Sequence, residues 1–410
     1  MVTRAFPPVG GGGVQRMIKF AKYLNNHNWQ ATVAAPDKLE GNGWHDESPL
    51  KNIDANEIIR IGQVDLKKQS TINRILNRTY PVDAHYPWAK QVIRNLSRRD
   101  LSKYSILFTS GPPHSVHYIG ERLARKHNLG WVADFRDHFT LAPEYRPSTP
   151  FHTKRNIDFE RRILSKADLV ICNTRINRRE LIAEFGLKYS SKLKVIYNGF
   201  DRSDICQGEP YLWPNKRRSY VYLGGLRGER IDSSFFKIIA RIRKSHPDLS
   251  KEFSIRIVGD TRHKGNSVDE LVDAGMVTIH PPVPADSLGS VLHAADGFVA
   301  WQRDKPKYKG TVGGKIFDYL AAEKPIFSLG QNGGEIDKLL RHFKAGISVD
   351  AGDLGLACDS FLSFDQKVRS GEFKREKSSG DCLERFTRQY QAKQLANAFD
   401  AVSERRRGHC

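Results

Sequence analysis

The sequence predicts an α/β protein made of two doubly wound domains of parallel sheet, and three observations carry that expectation. Short β-branched or aromatic runs alternate with helical patterns almost throughout, as in strands joined by crossover helices. The alternation pauses once, from Asn198 to Arg218, where NGFDRSDICQGEPYLWPNKRR follows neither period. At 410 residues the chain is also too long for one ordinary core, so two domains of roughly 200 residues are the natural division.

In the first half, strands are expected at Ala31–Ala35, Ile58–Ile61, Ser105–Thr109, Gly130–Phe135, Leu169–Cys172 and Lys194–Tyr197, after a strand-like stub before Phe6. Between them Val14, Met17, Ile18, Ala21 and Leu24 recur at the spacing of a buried helical stripe. Trp88, Val92, Ile93 and Leu96 repeat it, as do Val116, Ile119, Leu123 and Ala124. In the second half, strands are expected at Tyr220–Leu223, Ser254–Val258, Met276–Ile279, Gly297–Trp301, Pro325–Leu329 and Gly346–Val349, with helical patterns such as Phe235, Phe236, Ile239 and Ile242 between them. The divisions read as a first Rossmann-like domain over 1–203, a linker over 204–217, a second such domain over 218–383, and a C-terminal helical segment over 384–410 that crosses back. Open parallel sheets bind ligands at the carboxyl ends of their strands. Two of them facing one another would form an interdomain cleft where two substrates meet, the first domain taking the acceptor.

Composition narrows the setting. No run of about 18 apolar residues occurs, and no apolar stretch follows a charged start. The five cysteines are scattered and lack C-x-x-C spacing, which argues against a disulfide framework or zinc site and fits a reducing cytosol. The net charge of +20 is uneven, +14 over residues 1–200 and +6 over the rest. Such a field favours nucleic acid, anionic lipid or phosphorylated ligands. In Lys67–Arg78, Ile72, Ile75 and Leu76 lie among four cations, as in a peripheral membrane-surface segment.

Five motifs carry chemistry. FPPVGGGGVQR, Phe6 to Arg16, places Gly11, Gly12 and Gly13 before a helix expected to start near Val14 or Gln15; glycine lets backbone approach a ligand, and a helix N-terminus favours phosphate. It lacks the Gly-Lys-Ser/Thr of a P-loop. SGPPHSVHYIG follows the Ser105–Thr109 strand, with His114 expected to open the next helix facing ligand and His117 on a neighbouring face. In WVADFRDHF an apolar strand runs into Asp134, Arg136, Asp137 and His138. Charges there must pair or meet ligand, and strand-end position favours ligand. YLGGLRGER sets Arg227 and Arg230 beside a Gly224-Gly225 turn, where two guanidiniums could neutralise a diphosphate. The strongest is YKGTVGGKIFDYLAAEKPIFSLG, in which Gly313, Gly314 and Lys315 open a helix as a phosphate cradle. Asp318 follows one turn on, placed to accept ribose hydroxyls.

Taken in order, FPPVGGGGVQR, SGPPHSVH, WVADFRD, KVIYNGFD, YLGGLRGER and KIFDYLAAEKPI resemble bacterial glycosyltransferases of family 4, with the GT-B fold. That resemblance implies sugar transfer from a nucleoside diphosphate sugar with retained configuration and no cofactor or metal. The absence of an Asp-x-Asp motif agrees. It implies that Arg227 and Lys315 stabilise the departing diphosphate, helped by the amides of Val312–Gly314, and that Asp318 holds the ribose in place of the family's glutamate. Val283, in a Pro-Val-Pro segment, would border the nucleobase. His114 and Arg136 would stand near the reacting sugar. The sequence departs from the family at Gly310, where a glutamate often contacts the donor sugar, and only Met1–Ala5 precede FPP where the family has a longer first strand.

The expected partners are therefore a nucleoside diphosphate sugar (UDP favoured), a glycan or lipid-linked acceptor in cell-surface polysaccharide assembly, and the inner face of the membrane. Two readings compete. A nucleotide-sugar 2-epimerase shares the fold but needs carboxylates at the sugar, which Gly310 does not help. A nucleic-acid-binding protein rests on charge alone, without a recognised module.

Overall fold

The structure, a computed structural model, describes residues 1–37, 44–53, 57–62, 82–147, 149–206, 208–226, 234–261, 266–303, 305–373 and 380–408. It divides into two compact units, one running to Tyr197 and resuming at Arg388, the other spanning Asn198–Thr387.

The described elements of the first unit are β1 (Val2–Thr3), α1 (Gly12–Tyr23), β2 (Thr32–Pro36), β3 (Glu57–Ile61), α2 (Tyr86–Leu96), β4 (Ile106–Gly111), α3 (Val116–Lys126), β5 (Gly130–Phe135), α4 (Pro150–Lys166), β6 (Leu169–Cys172), α5 (Arg175–Phe185) and β7 (Leu193–Val195). The strands form one parallel sheet in the order β3-β2-β1-β4-β5-β6-β7. Because side chains alternate along a strand, neighbours in sequence join different cores. Leu107, Trp131, Ala133 and Val170 pack with α2, α3, α4 and α5. Phe108, Val132, Leu169 and Ile171 pack instead with α1 and the C-terminal helix. Both faces are covered, so the strands read as nearly continuous apolar runs.

The second unit holds α6 (Arg202–Ile205), β8 (Arg218–Leu223), α7 (Ser234–Ser245), β9 (Phe253–Val258), α8 (Asn266–Asp273), β10 (Val277–His280), α9 (Leu288–His293), β11 (Gly297–Trp301), α10 (Lys315–Ala321), β12 (Ile326–Gly330), α11 (Glu335–His342), β13 (Gly346–Asp350), α12 (Leu354–Ser370) and α13 (Gly380–Glu384). Its parallel sheet runs β10-β9-β8-β11-β12-β13, with Tyr220, Phe253, Ile255 and Ile257 packed against α7 and α12. The last helix, α14 (Arg388–Arg407), belongs to the first unit, where Phe399 meets Phe108 edge-on at 5.7 Å and Asp400 accepts from Trp29 Nε1 at 3.0 Å.

Two findings differ from the sequence-based expectation. Residues expected to form the interdomain linker pack on the second unit: Trp213 Nε1 donates to the Ala294 carbonyl at 2.8 Å. The Trp213 ring also lies 5.0 Å from the buried Arg256 guanidinium and 5.0 Å from the His280 ring. Asp134, expected to meet ligand, is fully buried and paired with Arg16 through Nε–Oδ2 (3.0 Å) and Nη2–Oδ1 (2.9 Å). Ser110 Oγ donates to the same carboxylate at 2.8 Å. Arg16 further donates to the Tyr197 and Ile196 carbonyls, at 2.7 and 3.1 Å.

A buried pair so fully bonded is costly to break from one side, because the remaining charge stays buried and unpaired. Arg16→Ala should therefore lower unfolding free energy by about 3–5 kcal/mol, read from urea denaturation. A loss below about 1 kcal/mol, the scale of an exposed ion pair, would show that the pair does not organise this unit.

Candidate functional site

In a doubly wound sheet, ligands bind beyond the strand ends where the strand order reverses. In the first unit that point lies between β1 and β4, and the loops leaving it are Gly10–Gly13 and Pro112–His114. Gly11 caps α1 at φ 114°, a conformation that side-chain-bearing residues rarely adopt. The helix then begins at Gly12, ahead of the Val14 start that its hydrophobic stripe suggested. A Cβ on Gly11 or Gly12 would meet nothing within 4 Å, so this stretch of loop is open. Gly13 is crowded: a Cβ there would lie 2.9 Å from Arg136 Nη1.

Arg136 follows β5 and is buried. It donates from Nη1 to the Gly13 carbonyl (2.8 Å), from Nε to the Gly111 carbonyl (3.1 Å) and from Nη2 to the Pro112 carbonyl. The guanidinium thus ties the two loops together, a positioning role in place of the sugar contact expected of it.

His114 precedes α3 rather than opening it, and it is buried among aromatic rings, 4.7 Å from Phe139 and 5.4 Å from Phe135. Its Nε2 lies 3.2 Å from the His138 carbonyl, so that nitrogen carries the proton. Nδ1 is left as a buried acceptor with no protein partner. His117 meets the Thr109 hydroxyl through Nδ1 at 3.0 Å, and Trp131 Nε1 donates to the same hydroxyl at 2.9 Å. Its Nε2 is likewise buried without a partner. Burial pushes His114 down to about 3 and holds His117 well below the ordinary imidazole range, so both rings are neutral. His138 meets Glu180 at 2.7 Å, and Thr140 donates its N–H to the buried Glu160 at 3.0 Å. Neither carboxylate was singled out from sequence, because each lies on a helix far along the chain from its partner.

In the second unit the order reverses between β8 and β11. Gly224, at φ 124°, turns the chain out of β8. Gly225 packs so closely on the loop after β9 that a Cβ would stand 1.9 Å from the Asp260 carbonyl oxygen. Lys315 opens α10, and its Nζ lies 3.3 Å from the Tyr222 ring centroid and 3.5 Å from where a Cβ on Gly224 would be. Tyr222 stacks on Trp301 at 3.9 Å, and Trp301 stacks on Phe235 at 4.7 Å. Three rings thus back the ammonium in a column that sequence reasoning missed; the aromatic character of strand-end positions 222 and 301 was the available signal.

The loop before α10 offers N–H groups. No acceptor among the described residues takes the N–H of Gly313 or Gly314, while the carbonyl of buried Val312 accepts from Asn198 Nδ2 at 3.4 Å. Asp318 follows half-buried, and the Tyr319 hydroxyl accepts the Leu223 N–H at 2.7 Å, locking α10 to the end of β8. Lys315, Gly313, Gly314 and the Gly224 turn are therefore brought together. Val283 stands apart in the loop after β10, partly exposed. Near Gly310, Gln302 Nε2 donates to the Tyr308 and Thr311 carbonyls at 3.2 and 2.7 Å, so side-chain-to-backbone bonds hold this turn. Arg227 and Arg230, and the Lys67–Arg78 segment, lie outside the described residues.

Comparison with known proteins agrees with this architecture. The chain shares its fold with sucrose-phosphate synthase from Thermosynechococcus elongatus, at TM-score 0.65 and 13% identity over 98% of each chain. HepE of Anabaena in complex with UDP-glucose follows at TM-score 0.62 and 15% identity, again over 98% of each. WaaG, a glycosyltransferase involved in lipopolysaccharide biosynthesis, matches at TM-score 0.56 and 12% identity over 98% of this chain and 97% of its own. The fold is thus that of the GT-B glycosyltransferases. Residues 10–204, just under half of the chain, match the model of Glycosyltransferase Family 4, so the first domain is similar to that family. Comparison with curated proteins finds no match.

The buried imidazoles make stability depend on pH. Unfolded, both rings titrate near 6.5, whereas the folded protein holds His114 down to about 3 and His117 also far below. Between these values the unfolded chain binds more protons, so this stability is complete above pH about 6.5 and is lost as pH falls toward 3. Each ring should contribute about 1.4 kcal/mol per pH unit within the window. Urea titrations between pH 7 and about 4.5 should show a shallower slope in His114→Phe than in wild type. Equal slopes would mean that His114 is not held neutral.

Proposed function

We propose that the protein is a retaining glycosyltransferase moving a sugar from a nucleoside diphosphate sugar, UDP favoured, to a lipid-linked acceptor in cell-surface polysaccharide assembly. The observation that carries this reading is the cradle of the second unit. An ammonium held over Tyr222 and beside the Gly224 turn adjoins the unbonded N–H groups of Gly313 and Gly314. Fixed positive charge and oriented N–H dipoles stabilise negative charge as it develops, and such groups are worth several kcal/mol in a transition state. As the bond between the sugar's anomeric carbon and the diphosphate oxygen breaks, Lys315 stabilises the departing phosphate, with Arg227 as a second cation and Asp318 on the ribose. No metal takes part in this reading, in keeping with the lack of an Asp-x-Asp motif.

The first unit supplies groups of a different kind. His114 is neutral, and its Nδ1 is a buried acceptor without a partner among the described residues, a group of the kind that meets a hydroxyl rather than a phosphate. The excess of cations in the first half of the chain supports an acceptor bearing phosphate and work at the inner face of the membrane. Among the described residues no helix is long and apolar enough to cross a membrane. The UDP-glucose complex of HepE favours UDP, and the role of WaaG in lipopolysaccharide synthesis favours an envelope acceptor.

Calorimetry with UDP, GDP and ADP tests the donor site directly. One nucleotide should bind in the micromolar range, and Lys315→Ala should abolish that binding; no binding by any of the three would remove the basis for the transferase reading. With the donor identified, Lys315→Ala and Arg227→Ala should each lower turnover by about 10²–10³, the cost of losing one such charge-stabilising group. Near-normal turnover in both would overturn their assignment, and conversion of donor without acceptor would mark an epimerase.

A further inference from the structure

We infer that the outer face of α3 and α4 docks onto an anionic lipid bilayer, with Phe151 as its apolar tip. α4 begins on the chain that leaves the carboxyl end of β5, so its first turn lies at the same end of the sheet as the loops around Gly13 and His114. Phe151 occupies that turn at 58% exposure, beside the exposed Pro147 and Pro150. An open groove of about 700 Å³ runs past this turn. Pro147, Pro150 and Ile157 give it an apolar lining and Lys154 adds a cation, while Arg161 there pairs with Asp158 at 3.0 Å.

The charge extends beyond the groove. α3 and α4 together carry eight lysines and arginines against Glu121, Asp158 and the fully buried Glu160. Glu121 bonds Arg162 at 3.0 Å and Lys166 at 2.6 Å, joining the two helices into one surface. Arg122, Arg125 and Lys126 are exposed on the α3 side. A face that only keeps a protein dissolved needs cations but no exposed phenyl ring; the Phe151 ring keeps 58% exposure with the Arg155 guanidinium 5.2 Å from its centroid. A single-strand nucleic-acid platform sets rings among its cations for bases to stack on, whereas Phe151 stands at one end of the face, directly after Pro150. An inserted ring backed by headgroup-seeking cations is the combination that holds a protein on an anionic bilayer.

The inference deepens the lipid-linked reading above, yet it can be measured without donor or acceptor. The experiment is co-sedimentation with phosphatidylcholine vesicles, with and without about one third phosphatidylglycerol, at about 0.15 M salt. Wild type should pellet only with the anionic vesicles. The double variant Lys154→Glu/Arg155→Glu should partition more than about tenfold more weakly, since each cation near such a surface is worth about fivefold. Phe151→Ser should lose about tenfold while keeping the salt dependence of wild type. Arg122→Glu/Arg125→Glu tests the neighbouring helix independently, and an unchanged urea midpoint in every variant reports an intact fold. The inference is overturned if wild type shows no preference for anionic vesicles, or if all three variants pellet as wild type does. It also fails if these substitutions abolish a tighter binding to random-sequence DNA, which would assign the face to nucleic acid. A protein that binds UDP and ignores vesicles refutes the docking face alone; one that binds vesicles and no nucleotide refutes the transferase reading alone.

Discussion

The ion pair between Arg16 and Asp134 is the constraint on which the geometry of the first unit depends. Placing two charges where neither meets water is unfavourable unless their hydrogen bonds are satisfied. Here the guanidinium bonds both carboxylate oxygens and the carbonyls of Tyr197 and Ile196. Three separate pieces of chain are thereby fixed together: the second turn of α1, the interior of β5, and the segment leaving β7. The consequences reach the candidate site within a few residues. Arg16 lies three positions after Gly13, and Arg136 lies two positions after Asp134. Fixing the pair therefore fixes the distance over which Arg136 reaches the Gly13 and Gly111 carbonyls. Those bonds in turn shape the two loops at the strand-order reversal, one of which carries His114. Sequence keeps the charges near the site, while the structure uses them to hold backbone.

Much of this fold was legible in the sequence because buried parallel strands write themselves as short apolar runs. Every strand expected from those runs is present, displaced at its ends by no more than two residues, as with Lys194–Tyr197 against β7 at Leu193–Val195. The helical stripes of α1, α2 and α3 were equally plain, because each helix buries one face against a sheet. What sequence could not show was pairing at a distance. Asp134 has Arg136 and Asp137 beside it in the text, yet its partner lies 118 positions away. The same holds for His138 and Glu180, 42 positions apart. The packing of residues 204–217 was hidden for a related reason. Gly, Pro and Asn abolish periodicity, but only three-dimensional contact reveals that Trp213 sits under Arg256 and against His280. Lack of period and lack of packing are different properties, and composition reports only the first.

The two strand-order reversals differ in their electrostatics, and the difference bears on chemistry. In the first unit three charges near the reversal are held by protein groups: Arg16 by Asp134, Arg136 by carbonyls, and His138 by Glu180. Beside them stand two neutral imidazoles, each with a nitrogen that meets no partner among the described residues. Burial keeps them uncharged, so they suit hydroxyl groups and are poorly suited to phosphate. In the second unit the ammonium of Lys315 lies on the face of Tyr222, whose quadrupole attracts the cation. The Trp301 and Phe235 rings stacked behind Tyr222 back that face, and the N–H groups of Gly313 and Gly314 add dipoles with no acceptor among the described residues. That arrangement suits phosphate and offers little to a neutral hydroxyl.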